Sequence, residues 1–321
     1  MTEIDTVTMH EQEGAHRQTN AGSRAPSASS PAESNTADPR FDARYRGRRN
    51  FIRYGFFCLA AFIGTAVRAN QIDDLELLDV SIYVPRWPIA QNGYTIAQIS
   101  DLHCDDDRCV ARVVHGVKLL MQQKPDVAVV TGDFVSGGGL DFLHQGVQAL
   151  SPLRDLPGGA YAILGNHDWY GRSDESVASA VAASGITMLR NQSTGIPGVR
   201  NAYFVGLDDV TAGAHDLSKA LQGVPADAVR ILLVHEPDFA DSAGPGFALQ
   251  LSGHSHGGQI RIPSLPPLHT PPLGQRYPQG LQQCATHPVY TSKGVGVTGV
   301  DLRLACRPDV TLIRIFNAPS V

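Results

Sequence analysis

The chain has 321 residues, of which 42% are hydrophobic and 18% are charged. This composition indicates one sizeable globular domain with additional segments, and it excludes a fibrous or wholly disordered protein. The net charge is −5, and the segment that ends at Ala69 contains nine of the 26 basic and seven of the 31 acidic residues. The remainder therefore has a net charge of 17 − 24 = −7, which argues against a nucleic-acid partner.

The first 69 residues are predicted to lie outside the folded domain. Residues 1–47 are polar and contain few large apolar side chains, so we expect a disordered segment. Residues 48–69 begin with Arg48 and Arg49 and include an uncharged apolar run of 14 residues that ends at Val67. The run resembles a twin-arginine export signal, which the export machinery would recognise; an uncleaved membrane anchor or a short buried helix are the alternatives. We therefore expect a periplasmic or otherwise extracytoplasmic protein, either released or anchored to the membrane through residues 48–69.

The folded domain is predicted to begin near residue 75 with alternating strands and helices. Short apolar runs predict strands at 93–100 and 126–132, and apolar positions at helical spacing predict helices at 108–123 and 139–150. Three acidic residues at 105–107 precede the first helix. We expect them to cap its free N–H groups rather than to form a metal site.

Strands dominate the later part of the sequence. A strand at 160–165 is followed by a helix at 174–185, which Gly185 ends. The further predicted strands are 202–207, 229–235, 247–253, 258–263, 287–292 and 309–316. The Pro-rich stretch 263–280 is expected to be an ordered loop over one end of the sheets. The whole of 75–321 is therefore predicted to be one α/β domain in which a second sheet packs on the first.

Side chains with metal-binding atoms follow five of these strands at their C-terminal ends. They are Asp101 and His103, then Asp133, then Asn166 to Asp168, then His235, and finally His254 and His256. The carboxyl ends of strands face the ligand crevice in open α/β sheets, so we expect these five segments to meet. An extended backbone flanked by glycines would direct His254 and His256 to the same side.

These donors are oxygen and imidazole nitrogen, without a thiolate. The candidate ligands are Asp101, His103, Asp133, Asn166, His235, His254 and His256. Seven donors are too many for one ion and fit two, with Asp133 as the bridging carboxylate. We predict two divalent transition metal ions per chain, and the donor mix suits Mn, Zn, Fe, Ni or Co better than Ca without choosing among them.

The order of these blocks resembles the calcineurin-like metallophosphoesterase superfamily. The blocks are DLH (101–103), GD (132–133), GNHD (165–168), VH (234–235) and GHSH (253–256). The stretches GHSHGGQIRIP, RYPQGL, VYTSKGVG and RLACRPDVTLIRI are similar to the exported or membrane-associated phosphodiesterases of its YaeI/YkuE branch. The resemblance implies a four-layer α/β/β/α sandwich, with two packed mixed sheets flanked by helices and a dimetal site at the strand ends.

The resemblance also implies a role for each residue. Asp101, His103 and His256 would hold the first metal, Asn166, His235 and His254 the second, and Asp133 both. His167 would interact with the phosphoryl group and protonate the leaving oxygen, and Asp168 would orient His167. Two cations would lower the pKa of a bridging water, and the resulting hydroxide would attack the phosphoryl group in line. We expect a phosphodiesterase whose substrate is a phosphodiester or a phospholipid-type molecule.

Other residues and functions are less constrained by the sequence. Arg172, Arg276 and Lys293 could bind a phosphate or a head group, and a solvated surface role fits them equally. The cysteines outside the apolar run are Cys104, Cys109, Cys284 and Cys306, which permit three pairings or remain free and buried. The alternatives to a general phosphodiesterase are a UDP-2,3-diacylglucosamine pyrophosphatase-like enzyme of lipid A synthesis and a non-catalytic metal- or phospholipid-binding surface protein. A metallo-β-lactamase is disfavoured because His256 is followed by two glycines and not by the Asp-His pair of that fold.

Overall fold

The computed structural model describes residues 71–137 and 139–318. The segment 1–47, predicted to be disordered, and the predicted signal or anchor at 48–69 lie outside the described residues. Among the described residues, no helix combines the length and the apolar character that a membrane span requires.

The first sheet has six strands and mixed directions. Their spatial order is β1 (Glu76–Val84), β12 (Asp309–Asn317), β2 (Tyr94–Ile99), β3 (Val127–Thr131), β4 (Ala160–Ile163) and β5 (Thr187–Met188). Strands β2 to β5 are parallel, whereas β12 is antiparallel to β2 and parallel to β1. Every residue of β2 and β3 is buried, which explains why their sequences, YTIAQI and VAVVT, are mostly apolar and carry no charge.

The second sheet also has six strands. Their order is β10 (Gly280–Gln283), β11 (Pro288–Thr291), β9 (Leu249–Ser252), β8 (Val229–Leu233), β7 (Ala202–Gly206) and β6 (Gln192–Gly195). The four central strands are parallel, and the edge strands β6 and β10 are antiparallel to their neighbours. The carboxyl ends of β7, β8 and β9 therefore lie at the same edge of this sheet.

The helices are α1 (Asp107–Gln122), α2 (Leu143–Leu150), α3 (Asn166–Trp169), α4 (Asp174–Ala183) and α5 (Leu217–Ala220). The predicted cap of α1 is confirmed, because the Asp106 carboxylate accepts a hydrogen bond of 2.6 Å from the N–H of Cys109. Helix α4 ends just before Gly185, whose positive φ of 85° stops it as predicted.

Three apolar clusters arrange these elements in four layers. Side chains of both sheets, such as Ile96 and Ile231, share one core between the sheets. The outer face of the first sheet packs on α1, α2 and α4. The outer face of the second sheet packs on α5 and on Phe239 and Phe247. The predicted α/β/β/α sandwich is confirmed, and both sheets end beside the Pro-rich loop.

The sequence-based elements differ from the structure in three places. The predicted strand 258–263 is wrong, because positive φ angles at Gly258 and Gln259 turn the chain and only a single bridge from Ile260 to Leu304 remains. The helix predicted from residue 139 begins at Leu143. Strands β1, β5, β6 and β10 had no prediction of their own.

Candidate metal centre

The five predicted segments meet at the strand ends. Strands β2, β3, β4, β8 and β9 each end two or three residues before the first candidate ligand that follows them. The seven candidate ligands, namely Asp101, His103, Asp133, Asn166, His235, His254 and His256, are all buried. The parallel strands of the two sheets therefore bring donors from distant parts of the chain into one place.

Four of these residues form a compact cluster. Asp101, His103, Asp133 and His256 each offer a ligand atom, and these atoms lie within 4.8 Å of one another. The Nε2 of His103 lies 3.1 Å from the Nε2 of His256 and 3.4 Å from the Oδ2 of Asp133. This is the set that the family resemblance assigned to a first metal, together with the shared carboxylate.

The other three candidates lie beside this cluster. The Nε2 of His235 is 3.1 Å from the Oδ2 of Asp133, the oxygen that also faces His103. The Nδ1 of His254 is 2.9 Å from the Oδ1 of Asn166, and the rings of His235 and His254 are 5.1 Å apart. Asp133 therefore lies between two groups of donors, as its predicted shared role requires.

Backbone carbonyls fix the tautomers of two of these histidines. The Nδ1–H of His235 donates to the carbonyl of Thr131 at 2.6 Å, and the Nε2–H of His254 donates to the carbonyl of Pro272 at 2.8 Å. In the neutral form of each ring the opposite nitrogen then presents its lone pair to the centre, which is how metal-binding histidines are usually oriented.

Two lone-pair acceptors face each other in this arrangement. The Nδ1 of His254 and the Oδ1 of Asn166 approach to 2.9 Å, while the Asn166 amide nitrogen donates to the Tyr170 hydroxyl. Burial lowers the pKa of His254, so its ring is neutral and cannot bridge the pair with a second proton. A cation would satisfy both acceptors, and the residues present therefore fit a metal ion.

The charges of the buried cluster also need a cation. Burial raises the pKa of Asp101 to about 7 and lowers the pKa of His103 to about 3. Burial alone would lower the pKa of His235, but Asp133 and Asp101 raise it well above its ordinary value. The Oδ2 of Asp101 and the Nε2 of His235 are buried and make no hydrogen bond of good geometry with the described residues. Unsatisfied buried groups of this kind are stabilised by metal coordination.

The backbone at these ligands is unusual. Asp101, His103, Asp133, His254 and His256 all have positive φ angles, between 48° and 73°. The extended conformation predicted for the last two is therefore wrong, and sharp turns after β9 bring both rings to the centre instead. Such left-handed positions cost of the order of 1 kcal/mol or more for residues other than glycine and are concentrated at functional sites.

Asp168 has a different position from the one predicted. Its carboxylate accepts four backbone hydrogen bonds, from the N–H groups of Asp133, Phe134, Val135 and Gly165, at 2.8 to 3.3 Å. It therefore fixes the turn that carries Asp133 instead of contacting the His167 ring. His167 itself lines the cavity over the centre, its N–H donates to the Oδ1 of Asp133 at 2.9 Å, and its buried Nδ1 makes no hydrogen bond within the described part of the chain.

The three predicted phosphate-binding cations do not reach the centre. Lys293 pairs with Glu76 at 2.5 Å and Asp309 at 3.5 Å, and Arg276 pairs with Asp241. Arg172 is exposed close to Tyr170, makes no ion pair within the described ranges, and does not line the cavity. Trp169 packs with its indole N–H on Asp208, whereas Tyr170 lines the cavity mouth.

Sequence reasoning missed the supporting residue Arg303. Its fully buried guanidinium donates to the carbonyls of Lys293 and Gly296 at 2.7 and 2.6 Å and lies 3.3 Å from the Nδ1 of His256. The signal available in the sequence was an arginine shortly before the apolar strand β12. The four described cysteines are free and buried, and the Sγ atoms of Cys104 and Cys109 are 3.7 Å apart.

Comparisons with known proteins agree with this geometry. Residues 94–258 match the family described as calcineurin-like phosphoesterase. The metallophosphoesterase YkuE of Bacillus subtilis is 32% identical over 277 residues, which cover 84% of this chain and 97% of YkuE. The phosphodiesterase YaeI of Escherichia coli is 30% identical over 226 residues, which cover 69% of this chain and 82% of YaeI. A solved dimetal phosphatase from Danio rerio aligns with a TM-score of 0.41 at 13% identity, over 64% of this chain and 88% of that chain.

Proposed function

The chain belongs to the calcineurin-like phosphoesterase family, whose members hydrolyse phosphoric esters, and we propose that it is a phosphodiesterase that works with two divalent cations. The observation that carries this proposal is that six buried donors lie in two groups beside Asp133, whose Oδ2 is 3.4 Å from the Nε2 of His103 and 3.1 Å from the Nε2 of His235. Asp101, His103 and His256 would hold one cation, Asn166, His235 and His254 the other, and Asp133 both. Bound divalent cations supply Lewis acidity, which neutralises phosphoryl charge and favours ionisation of an attacking water.

The protein's own groups set the position of this chemistry. The Oδ1 of Asp133 is occupied by the N–H of His167, so its Oδ2 is the oxygen left to face both donor groups. The Asp168 carboxylate holds the Asp133 turn in place through the N–H groups of Asp133, Phe134 and Val135. Preorganised donors of this kind keep the reacting groups aligned without reorganisation during the reaction.

His167 is the candidate proton donor. Its ring lies 4.9 Å from the His103 ring, centroid to centroid, and lines the cavity in which the ester would lie. A protonated imidazole at this position would transfer its proton to the departing alkoxide.

Two substitutions separate metal binding from proton transfer. We expect Asp133→Asn to lose metal, because a shared negative ligand becomes neutral, and His167→Ala to keep metal and lose about 10²–10⁴-fold in turnover. Metal content by mass spectrometry and the rate on bis-p-nitrophenyl phosphate measure the two effects. His115→Ala, on the exposed face of α1, is the matched control. Equal metal content and equal activity in the two site variants would contradict these roles.

A product-resolved assay with one metal-loaded preparation distinguishes the ester classes. We expect faster release from a generic diester than from the corresponding monoester. Faster turnover of UDP-2,3-diacylglucosamine than of the generic diester would favour the pyrophosphatase alternative. A zero rate on all three esters at full metal loading would favour a non-catalytic binding protein.

The cellular location is part of the proposal. We propose export by a twin-arginine route, supported by Arg48, Arg49 and the apolar run that ends at Val67. A fusion of residues 1–74 to a reporter should need the twin-arginine machinery for export. Export of this fusion in cells without that machinery would refute the route.

A further inference from the structure

A cavity of about 640 Å³ lies directly beside the metal centre. One wall consists of polar residues of the centre, including Asn166, His167 and His254. A second part of the lining, which we call the aliphatic wall, contains Ile260, Leu268, Pro271, Pro272 and Val300, with the polar residues Gln259, His269 and Thr298 beside them. A molecule bound here would place a polar group at the centre and an apolar group against the aliphatic wall.

Exposed aliphatic side chains are concentrated in the two chain segments that supply the aliphatic wall, and Leu268 and Val300 among them line the cavity itself. Among the described residues, eleven large hydrophobic side chains are exposed, and five of them belong to the segments 260–273 and 298–300 that form the aliphatic wall. These five, which we call the apolar rim, are Ile262, Leu265, Leu268, Leu273 and Val300, and they are 39% to 61% exposed. Tyr170, on the other side of the cavity, is 47% exposed. Apolar side chains concentrated around a site mark a surface that binds an apolar ligand.

The loop that carries this rim is held in place. The carbonyl of Pro272 accepts the Nε2–H of His254, and the Asp238 carboxylate accepts the backbone N–H groups of Gln275, Arg276 and Tyr277. The N–H of Asp238 in turn donates to the carbonyl of Leu273 at 2.9 Å. The aliphatic side chains are thus presented by an anchored loop and do not fold back into the core.

The charge of the loop suits an anionic ester with an apolar substituent. Residues 260–275 contain one basic residue, Arg261, and no acidic residue. The side chains of Ile260, Leu268, Pro271, Pro272 and Val300 form no hydrogen bonds, so this part of the lining favours an alkyl or acyl chain over a nucleoside or a sugar.

We infer that the aliphatic wall is the subsite for the alkyl or acyl chain of an amphiphilic phosphodiester. This inference rests on the proposed phosphodiesterase function and adds the substrate class. The phosphoryl group would lie at the metal centre, and the chain would lie along Leu268 and Val300.

A chain-length series tests the inference. Methyl, hexyl and decyl p-nitrophenyl phosphate are compared below their critical micelle concentrations by release of p-nitrophenol. One buried methylene can strengthen binding by up to about fourfold, so we expect kcat/KM to rise at least about tenfold from methyl to hexyl. In the double variant Leu268→Ser, Val300→Ser the hexyl-to-methyl ratio should fall toward one. Leu281→Ser, at a side chain that is 46% exposed on β10, is the control and should leave the ratio unchanged.

Calorimetric titration separates this inference from the function on which it rests. Hexylphosphonate should bind the metal-loaded protein at least about tenfold more tightly than methylphosphonate, independently of turnover. Equal binding and equal kcat/KM along the series would overturn the subsite while leaving the phosphodiesterase in place. Tighter hexylphosphonate binding without turnover of any ester would support the subsite and refute the proposed function.

Discussion

Gly165→Ala tests how closely the backbone must approach the metal centre. A Cβ at this position would lie 2.7 Å from the backbone nitrogen of Asp133 and 2.8 Å from the Cε1 of His235, and it would also overlap the Oδ1 of Asp133. Ordinary van der Waals contact begins at 3.4 Å, so the added Cβ and the backbone nitrogen of Asp133 would have to separate by 3.4 − 2.7 = 0.7 Å to reach it. The φ of −114° at Gly165 is one that alanine adopts freely, so the effect is purely steric.

The expected losses follow from that displacement. A misplacement of about 1 Å can cost about 10²-fold in rate, and overpacking a rigid site costs about 1–3 kcal/mol of stability. We therefore expect Gly165→Ala to lose metal and about 10²-fold in kcat/KM on bis-p-nitrophenyl phosphate. Gly195→Ala, on the edge strand β6 where a Cβ meets nothing within 4 Å, is the control. Wild-type metal content and rate in Gly165→Ala would refute the geometry described for Asp133 and His235.

Three further predictions concern stability. Chelation of bound metal should lower the melting temperature by roughly 5–10 °C, because a ligand at 100 times its Kd contributes about 2.7 kcal/mol of stability. An unchanged melting temperature would contradict a metal in this buried site. Burial, together with Glu236, raises the pKa of Asp209 to about 9. The folded state therefore retains a proton that the unfolded chain releases near pH 4, and the free energy of unfolding falls as the pH rises between those two values. Asp209→Asn should therefore become more stable relative to wild type between pH 5 and pH 8 in urea unfolding, and a difference independent of pH would count against it. Arg303→Lys should lower the free energy of unfolding by about 1–3 kcal/mol for each carbonyl left without a donor. An unchanged midpoint of urea unfolding would contradict this prediction.

The sequence predicted where the donors meet but not the backbone conformation that orients each side chain. Asp133 and His235 directly follow apolar strands, and parallel strands end at a common edge, so their convergence follows from pattern alone. The left-handed turns at His254 and His256 do not leave a periodic signal, because they depend on the contacts of one or two residues. An extended backbone was predicted there for that reason.

The partners of charged side chains also could not be predicted from the sequence. Lys293 was a reasonable phosphate ligand until the fold placed Glu76, 217 positions earlier in the chain, beside its ammonium group. Asp168 was assigned to its neighbour His167, but the turn after β3 offers three N–H groups at the right distance, and these, together with the N–H of Gly165, hold its carboxylate. In both cases a charge is bound by a part of the chain whose position only the tertiary structure determines.

The ring of His254 has one nitrogen toward Asn166 and the other on the carbonyl of Pro272. An imidazole is planar and rigid, so a change in the tilt of the ring at one nitrogen also changes the hydrogen bond at the other. A single side chain thus joins the candidate metal centre to the loop that carries Pro272, and the position of each constrains the position of the other.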